Sequence, residues 1–171
     1  GATNGMSDQA MLKLHVRESY NTIKWLRSMG HYWVSELDNP TAGNVIKMEG
    51  GGYGLQQRHF SFLEEKGVDF HYETTATELL VDNKSRVCGV RAWSPQQGPM
   101  TIRAGAVVLA AGGFEANPEM RGRYLGPQWD TVKNRGVIYN TGDGLNMALA
   151  IGAMSHGSWT SCHASPQDLQ R

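Results

Sequence analysis

Two glycine-bearing motifs are the stretches of this sequence whose residue types and spacing could do chemistry. In the first, the apolar run AVVLAA at 106–111 passes directly into Gly112 and Gly113. In the second, TGDG at 141–144 precedes an apolar helical pattern. Glycine lets a backbone approach a ligand closely and adopt φ values that other residues avoid. Both motifs therefore predict a ligand lying close to the main chain, although a glycine pair is also compatible with a plain tight turn.

Asp143, inside the second motif, indicates which part of a ligand would meet it. A helix N-terminus attracts oxyanions, but the carboxylate of Asp143 would repel a phosphate. An ionised carboxylate only accepts hydrogen bonds, so it suits a hydroxyl group of a ribose or ribityl chain. The alternative is that Asp143 only caps the helix.

The helices that must position these motifs can be predicted from hydrophobic periodicity. Leu12, Val16, Ile23 and Leu26 recur at helical steps, with a capping pair before them and Gly30 after them. This pattern predicts a helix over residues 7–29. A second helix is predicted at 55–66, after an irregular segment at 31–47, and a third follows the TGDG motif.

Between the second and third helices the sequence is rich in strand-forming residues. Short polar turns join three of the segments, so these are predicted to form an antiparallel meander. The run at 106–111 does not alternate, and we therefore expect it to be covered on both faces as a central parallel strand. The predicted strands are 68–73, the meander strands 76–81, 86–93 and 99–103, and 106–111.

Charge and composition argue against several classes of partner. Sixteen Lys and Arg balance sixteen Asp and Glu in 171 residues, so the protein has no net positive charge that would favour binding of nucleic acid. No apolar run approaches the roughly 18 residues of a membrane span. Cys88 and Cys162 are far apart and suit a reducing cytoplasm rather than a disulfide framework.

A cluster near the end of the chain could suggest a metal site or a cysteine nucleophile. His156, Cys162 and His163 are the residues concerned. Neighbouring Cys and His side chains rarely converge, and no C-x-x-C or H-E-x-x-H motif occurs. No oxyanion donor set accompanies Cys162. We therefore expect neither a metal ion nor covalent thiol catalysis.

Four motifs in a fixed order are far more specific than either glycine motif alone. A glycine triplet opens a helix at 50–52, and GVDFHYETTATELLVDNKSRVCGV, AVVLAAGGF and TGDGLNMALAIGA follow. This order resembles the flavoprotein family of fumarate reductases and succinate dehydrogenases, which includes ketosteroid and tricarballylate dehydrogenases. The resemblance runs from Ile23 to the region of His163 and is greatest to the tricarballylate dehydrogenase type.

The resemblance implies an α/β fold. The chain would be a fragment of a Rossmann-like FAD-binding domain with a three-stranded antiparallel β-meander and part of a capping lobe. Residues 7–30 would form a helix of the FAD-binding or cap region, and 31–48 would start the capping lobe. Residues 49–171 would form the partial FAD-binding domain, with the meander at 76–103.

The resemblance also implies FAD as cofactor and a small carboxylate as substrate. One backbone stretch would lie against the adenine, the strand-end residues would pass close to the dinucleotide, and the GDG aspartate would reach FAD. A histidine 20 residues after that aspartate would bind a substrate carboxylate, with a purely structural histidine as the alternative. The corresponding residues are Thr75 and Ala76, then Ala111, Gly112 and Gly113, then Asp143, and finally His163.

In this family a hydride moves between a substrate carbon and flavin N5, and an arginine of a later segment handles the proton. We therefore assign no catalytic residue to this chain. Because it contains no GxGxxG motif, we expect the chain alone to bind FAD weakly or not at all and to be inactive. The electron acceptor is not indicated.

Two other functions stay open. One is a flavoprotein of the 3-ketosteroid dehydrogenase type. The other is a non-catalytic α/β module whose Trp, Tyr and Met residues dock onto another protein surface. An unpaired sheet edge would also favour a homodimer of the chain.

Overall fold

The computed structural model describes residues 7–34 and 47–162. These residues fall into two compact units, one within Asp8–His71 and one that begins at Tyr72. The boundary assigns the second helix to the first unit. The assignment of 7–30, 31–48 and 49–171 to functional regions stays a prediction.

The first unit contains two helices. Helix α1 (Gln9–Ser28) begins where Asp8 Oδ1 accepts hydrogen bonds from the amides of Ala10 and Met11, and it ends before Gly30, which has a φ of +83°. A carboxylate cap and a left-handed glycine satisfy the free groups at the helix ends, and the prediction for 7–29 is confirmed.

Helix α2 (Gly51–Glu65) begins inside the glycine triplet, as the motif order predicts, and four residues before the start at 55 that periodicity predicts. The left-handed Gly50 turns the chain into the helix, and Arg58 Nη1 donates to the carbonyl oxygen of Glu49 at 2.8 Å. The glycines thus form the first turn of the helix rather than a loop before it.

A histidine pair, of which His31 is buried and His59 half-buried, lies between the end of α1 and the side of α2. His31 has an exposed fraction of 0%, and its Nε2 lies 3.1 Å from Nδ1 of His59. The Nδ1 of His31 is buried without a hydrogen-bond partner among the described residues. Burial lowers the pKa of His31, and the neighbouring positive charges of His59 and Arg58 lower it further.

We expect this depressed pKa to make the first unit less stable in acid. Folded protein binds fewer protons at His31 than unfolded protein, so the contribution is complete above the ordinary histidine pKa of about 6.5 and is lost as the pH falls below it. Thermal unfolding at a series of pH values should show this loss. His31→Phe should flatten the dependence, whereas the variant His15→Gln on the exposed part of α1 should keep it.

The second unit is built on an antiparallel sheet. Strands β1 (Thr75–Val81), β2 (Val87–Ser94) and β3 (Gly98–Arg103) lie in the order β1-β2-β3. Asp82 Oδ1 accepts from the amides of Lys84 and Arg86 and thereby fixes the first turn. The predicted meander is confirmed.

Three short helical elements follow the sheet. They are α3 (Pro118–Leu125), a 3₁₀ turn (Trp129–Thr131) and α4 (Asp143–Ala150). Helix α4 packs against β1, and Leu79 and Met147 are buried in this part of the unit. Apolar burial at this contact orients the start of α4 relative to the sheet.

Two predicted strands are wrong for the described residues. Neither 68–73 nor 106–111 forms a strand, and Val108 in the second segment is 88% exposed. A strand exists only where a neighbour supplies ladder hydrogen bonds, and none of the described strands pairs with these segments. The prediction that 106–111 is covered on both faces is therefore wrong here as well.

Among the described helices, none combines the length and the apolar character that crossing a bilayer would require.

Candidate functional site

The two glycine motifs, 30 residues apart in sequence, meet in the second unit. The amide of Gly142 donates to the carbonyl oxygen of Gly113 at 3.0 Å. A Cβ on Gly144 would lie 3.1 Å from the Cβ of Ala111. The segment 111–113 therefore crosses the start of α4 at main-chain distance, which residues with larger side chains would prevent.

Three of the predicted cofactor residues line a single groove. Thr75 and Ala76 at the start of β1 face the same space as Asp143 at the start of α4, with Asn146 on the next turn. The groove has a volume of about 810 Å³. Thr141 Oγ1 donates to Asp143 Oδ2 at 2.9 Å, which fixes the carboxylate at the helix N-terminus.

A second pocket, of about 430 Å³, is lined by Gly112 and Gly113. Phe114, Trp159 and Cys162 also line it, and the rings of Phe114 and Trp159 stack with their centroids 6.0 Å apart. On helix α4, Leu145 and Leu149 line this pocket, whereas Asn146 and Met147 line the groove. The helix therefore lies between the two cavities.

The space beside the glycine pair is occupied by polar side chains. A Cβ on Gly112 would lie 2.7 Å from Asn140 Oδ1, and one on Gly113 would lie 2.8 Å from Glu115 Oε2. Gly112 also has a φ of +74°, which favours glycine. At Gly112 the missing side chain therefore makes room for Asn140, and the contact of Gly112 and Gly113 with the dinucleotide stays a prediction.

A buried arginine holds the loop that follows α3. Arg121 is only 7% exposed, and its guanidinium donates to four carbonyl oxygens. Five N–H donors in a rigid fork suit such a set of acceptors. The acceptors belong to Glu115, Trp129, Asp130 and Val132, at 2.5 to 3.0 Å.

The donor and acceptor chemistry of the groove fits part of a dinucleotide. Asp143 and Asn146 suit sugar or ribityl hydroxyls, and the start of β1 offers main chain beside them. The described lining includes the acids Glu78 and Asp143 but no Lys or Arg. The groove thus suits the uncharged parts of FAD, whereas the pyrophosphate requires donors from elsewhere.

The structure brings together most of the residues predicted from sequence. Thr75, Ala76 and Asp143 share the groove, and Ala111 lies at the crossing with α4. His163 lies outside the described residues, and its role as a substrate ligand stays a prediction. Its neighbour Cys162 lines the second pocket.

Sequence reasoning missed Glu115, Asn140 and Arg121, and it also missed the helix cap at Asn117. Asn117 Oδ1 accepts from the amide of Met120 at 3.1 Å, and the Asn-Pro pair at 117–118 could have indicated this cap. No spacing rule links Glu115 to Asn140, because their contact depends on the tertiary crossing.

Within 7–34 and 47–162, no three His, Cys, Asp or Glu side chains gather closely enough to hold a metal ion.

Comparison with known proteins identifies the family. The model of the FAD binding domain family matches residues 1–164. A probable fumarate reductase of Shewanella frigidimarina is 27% identical over 92% of this chain and 28% of its own length. A 3-oxosteroid 1-dehydrogenase of Mycolicibacterium smegmatis is 38% identical over 53% of this chain and 17% of its own length. The chain therefore spans less than a third of either relative.

A solved structure shows the same architecture. The open conformation of a flavocytochrome c3 fumarate reductase superposes with a TM-score of 0.79 at 26% identity, over 90% of this chain and 28% of that one. The predicted α/β fold and the FAD cofactor of the family are thereby confirmed. With its glycine crossing and its groove beside Asp143, the chain belongs to the FAD-dependent fumarate reductase and succinate dehydrogenase flavoprotein family.

Proposed function

We propose that the full-length protein is an FAD-dependent oxidoreductase that acts on a CH–CH bond of a small polycarboxylate, of the tricarballylate or fumarate and succinate type. The observation that carries this proposal is the groove shared by Thr75, Ala76 and Asp143 beside the crossing of the two glycine motifs. Family membership supports the cofactor.

The residues of this chain would bind and orient. The main chain of Thr75 and Ala76 would contact the adenine, and the Asp143 carboxylate would accept a hydrogen bond from a ribityl or ribose hydroxyl. His163 would hold a substrate carboxylate. Bound FAD would supply hydride exchange at N5. The catalytic acid or base is assigned to a residue outside this chain.

A substrate panel tests the reaction. The full-length protein with FAD should reduce its flavin when given tricarballylate or succinate, or reoxidise reduced flavin when given fumarate, as followed by flavin absorbance. Bleaching by a 3-ketosteroid alone would contradict the polycarboxylate proposal. It would favour the steroid dehydrogenase alternative, which the similarity to the 3-oxosteroid 1-dehydrogenase supports.

Replacing Asp143 should weaken FAD binding. Loss of one hydrogen bond to a charged group costs about 1.5 to 3 kcal/mol, so Asp143→Ala should raise the Kd for FAD roughly ten- to a hundredfold. Fluorescence titration of the full-length protein measures this change. Asp130→Asn, at an exposed acid on the 3₁₀ turn, is the matched control and should bind FAD as the wild type does. An unchanged Kd in Asp143→Ala would contradict the assigned role.

The non-catalytic docking function is the second candidate, and exposed aromatic side chains favour it for the isolated chain. Trp25, Tyr53 and Met154 are among the large apolar residues left at the surface. Homodimerisation through such surfaces should appear in size-exclusion chromatography, and a clean monomer would contradict it. The free thiols of Cys88 and Cys162 support a cytoplasmic location.

A further inference from the structure

Glu115 and Asn140 form a side-chain pair that covers Gly112 and Gly113. Asn140 Nδ2 donates to Glu115 Oε1 at 2.5 Å. Asn140 Oδ1 lies beside the Cβ position of Gly112, and Glu115 Oε2 lies beside that of Gly113. The pair therefore fills the space that two ordinary side chains would otherwise occupy.

The main chain around the pair is joined by further hydrogen bonds. The amide of Ala116 donates to the carbonyl oxygen of Asn140 at 2.9 Å, and Asn117 Nδ2 donates to that of Thr141 at 2.9 Å. One residue further on, the amide of Gly142 donates to Gly113. Residues 113–117 and 140–142 are thus tied by polar contacts on both sides of the crossing.

The pair is also anchored at the back. Arg121 Nη1 donates to the carbonyl oxygen of Glu115 at 2.5 Å, so the backbone from which the carboxylate projects is fixed by a buried side chain. The hydrogen bond from the Asn140 amide to the Glu115 carboxylate is charge-assisted and stronger than a neutral one. Asn140 is thereby held on the face of Gly112.

We propose that Glu115 and Asn140 are positioning residues that hold Asp143 at the mouth of the groove. By holding Asn140, the pair sets the path of residues 140–142, and this path carries Asp143 to the mouth of the groove. The inference rests on the proposed function, in which Asp143 contacts FAD. Neither side chain lines the groove itself, so the pair acts through the position of Asp143.

Exchanging the polarity of the pair gives a sharp test. Asn140→Asp sets two carboxylates against each other, whereas the double variant Glu115→Gln with Asn140→Asp restores an amide-to-carboxylate hydrogen bond in the opposite direction. Glu119→Gln, an exposed acid at the start of α3, is the matched control. Glu115→Gln, which leaves two amides facing each other, is the milder single variant. All four variants are compared with the wild type in the full-length protein.

Two readouts separate positioning from the proposed function. In flavin-free protein, hydrogen exchange of the peptide 140–144 reports on the bond from Gly142 to Gly113. In the same samples, fluorescence titration gives the Kd for FAD. We expect Asn140→Asp to accelerate exchange and raise the Kd, each about tenfold, and the double variant to restore both to within about threefold.

The outcomes decide between the two claims. Wild-type exchange and Kd in Asn140→Asp, or a double variant no better than that single variant, would overturn the positioning role. A wild type that binds no FAD would contradict the proposed function, and hydrogen exchange would then decide the role of the pair alone. If Asn140→Asp lowered the melting temperature without changing the Kd for FAD, the pair would only stabilise the fold, and the inference would be overturned.

Discussion

Arg121→Ala should lower the free energy of unfolding of the second unit by about 3 kcal/mol, because it removes a buried cation that serves four carbonyl oxygens. All four carbonyl oxygens would lose the donor that joins them. Urea denaturation measures the loss.

Arg123→Ala is the matched control for this change. Arg123 lies on the same helix but is exposed, and it forms an ion pair with Glu119 across one turn. Such surface pairs contribute about 0.3 to 0.5 kcal/mol. Arg121→Lys should recover only part of the loss, since one ammonium group cannot reach four separated acceptors. Equal stability of Arg121→Ala and Arg123→Ala would contradict the stabilising role of the Arg121 hydrogen bonds.

Gly89→Ala should destabilise the sheet by about 3 kcal/mol, because a Cβ there would lie 2.3 Å from the carbonyl oxygen of Ile102. Backbone atoms of the adjacent strand cannot rotate away as a flexible side chain can. Gly89 also has a φ of +153°, outside the usual range of residues with side chains. Strand β2 would have to separate from β3, which circular dichroism during thermal unfolding would detect.

Gly105→Ala provides the comparison for Gly89. No heavy atom lies within 4 Å of a Cβ built at Gly105, and its φ is not positive. The replacement should therefore leave the melting temperature nearly unchanged. If both variants melted alike, crowding at Gly89 could not be the cause of its instability.

Local signals in the sequence were sufficient for the helix caps, the meander and the start of α4. Asp8 and Gly30 bound α1, and Gly142 turns the chain into α4. Each of these features depends on residues within about five positions in sequence, so a short stretch of sequence is sufficient to predict it. For the same reason the three meander strands were predicted to within one residue.

Features that depend on distant residues were not predictable in this way. The apolar runs at 68–73 and 106–111 have strand composition, but no described strand pairs with them. Composition indicates what a segment prefers, whereas a strand requires a particular neighbour. Hydrophobic periodicity places the start of α2 too late, at 55, since helix propensity is poor for glycine, whereas the glycine triplet at 50–52 indicates the start that the turn at Gly50 produces.

The candidate site divides in the same way. The glycine motifs and Asp143 were evident because their residue types are unusual at the end of an apolar run and at a helix start. Glu115 and Asn140 are ordinary polar residues in sequence. Their partnership across 25 positions becomes visible only when the chain crosses itself.

The tight crossing at the start of α4 constrains how such a sequence can diverge. A Cβ on Gly142 would lie 2.5 Å from the sulfur of Met120, and one on Gly144 would press on Ala111. A larger residue at either glycine would require a smaller or repositioned partner at the same time. Over evolution, 142 with 120 and 144 with 111 should therefore change as pairs or stay fixed.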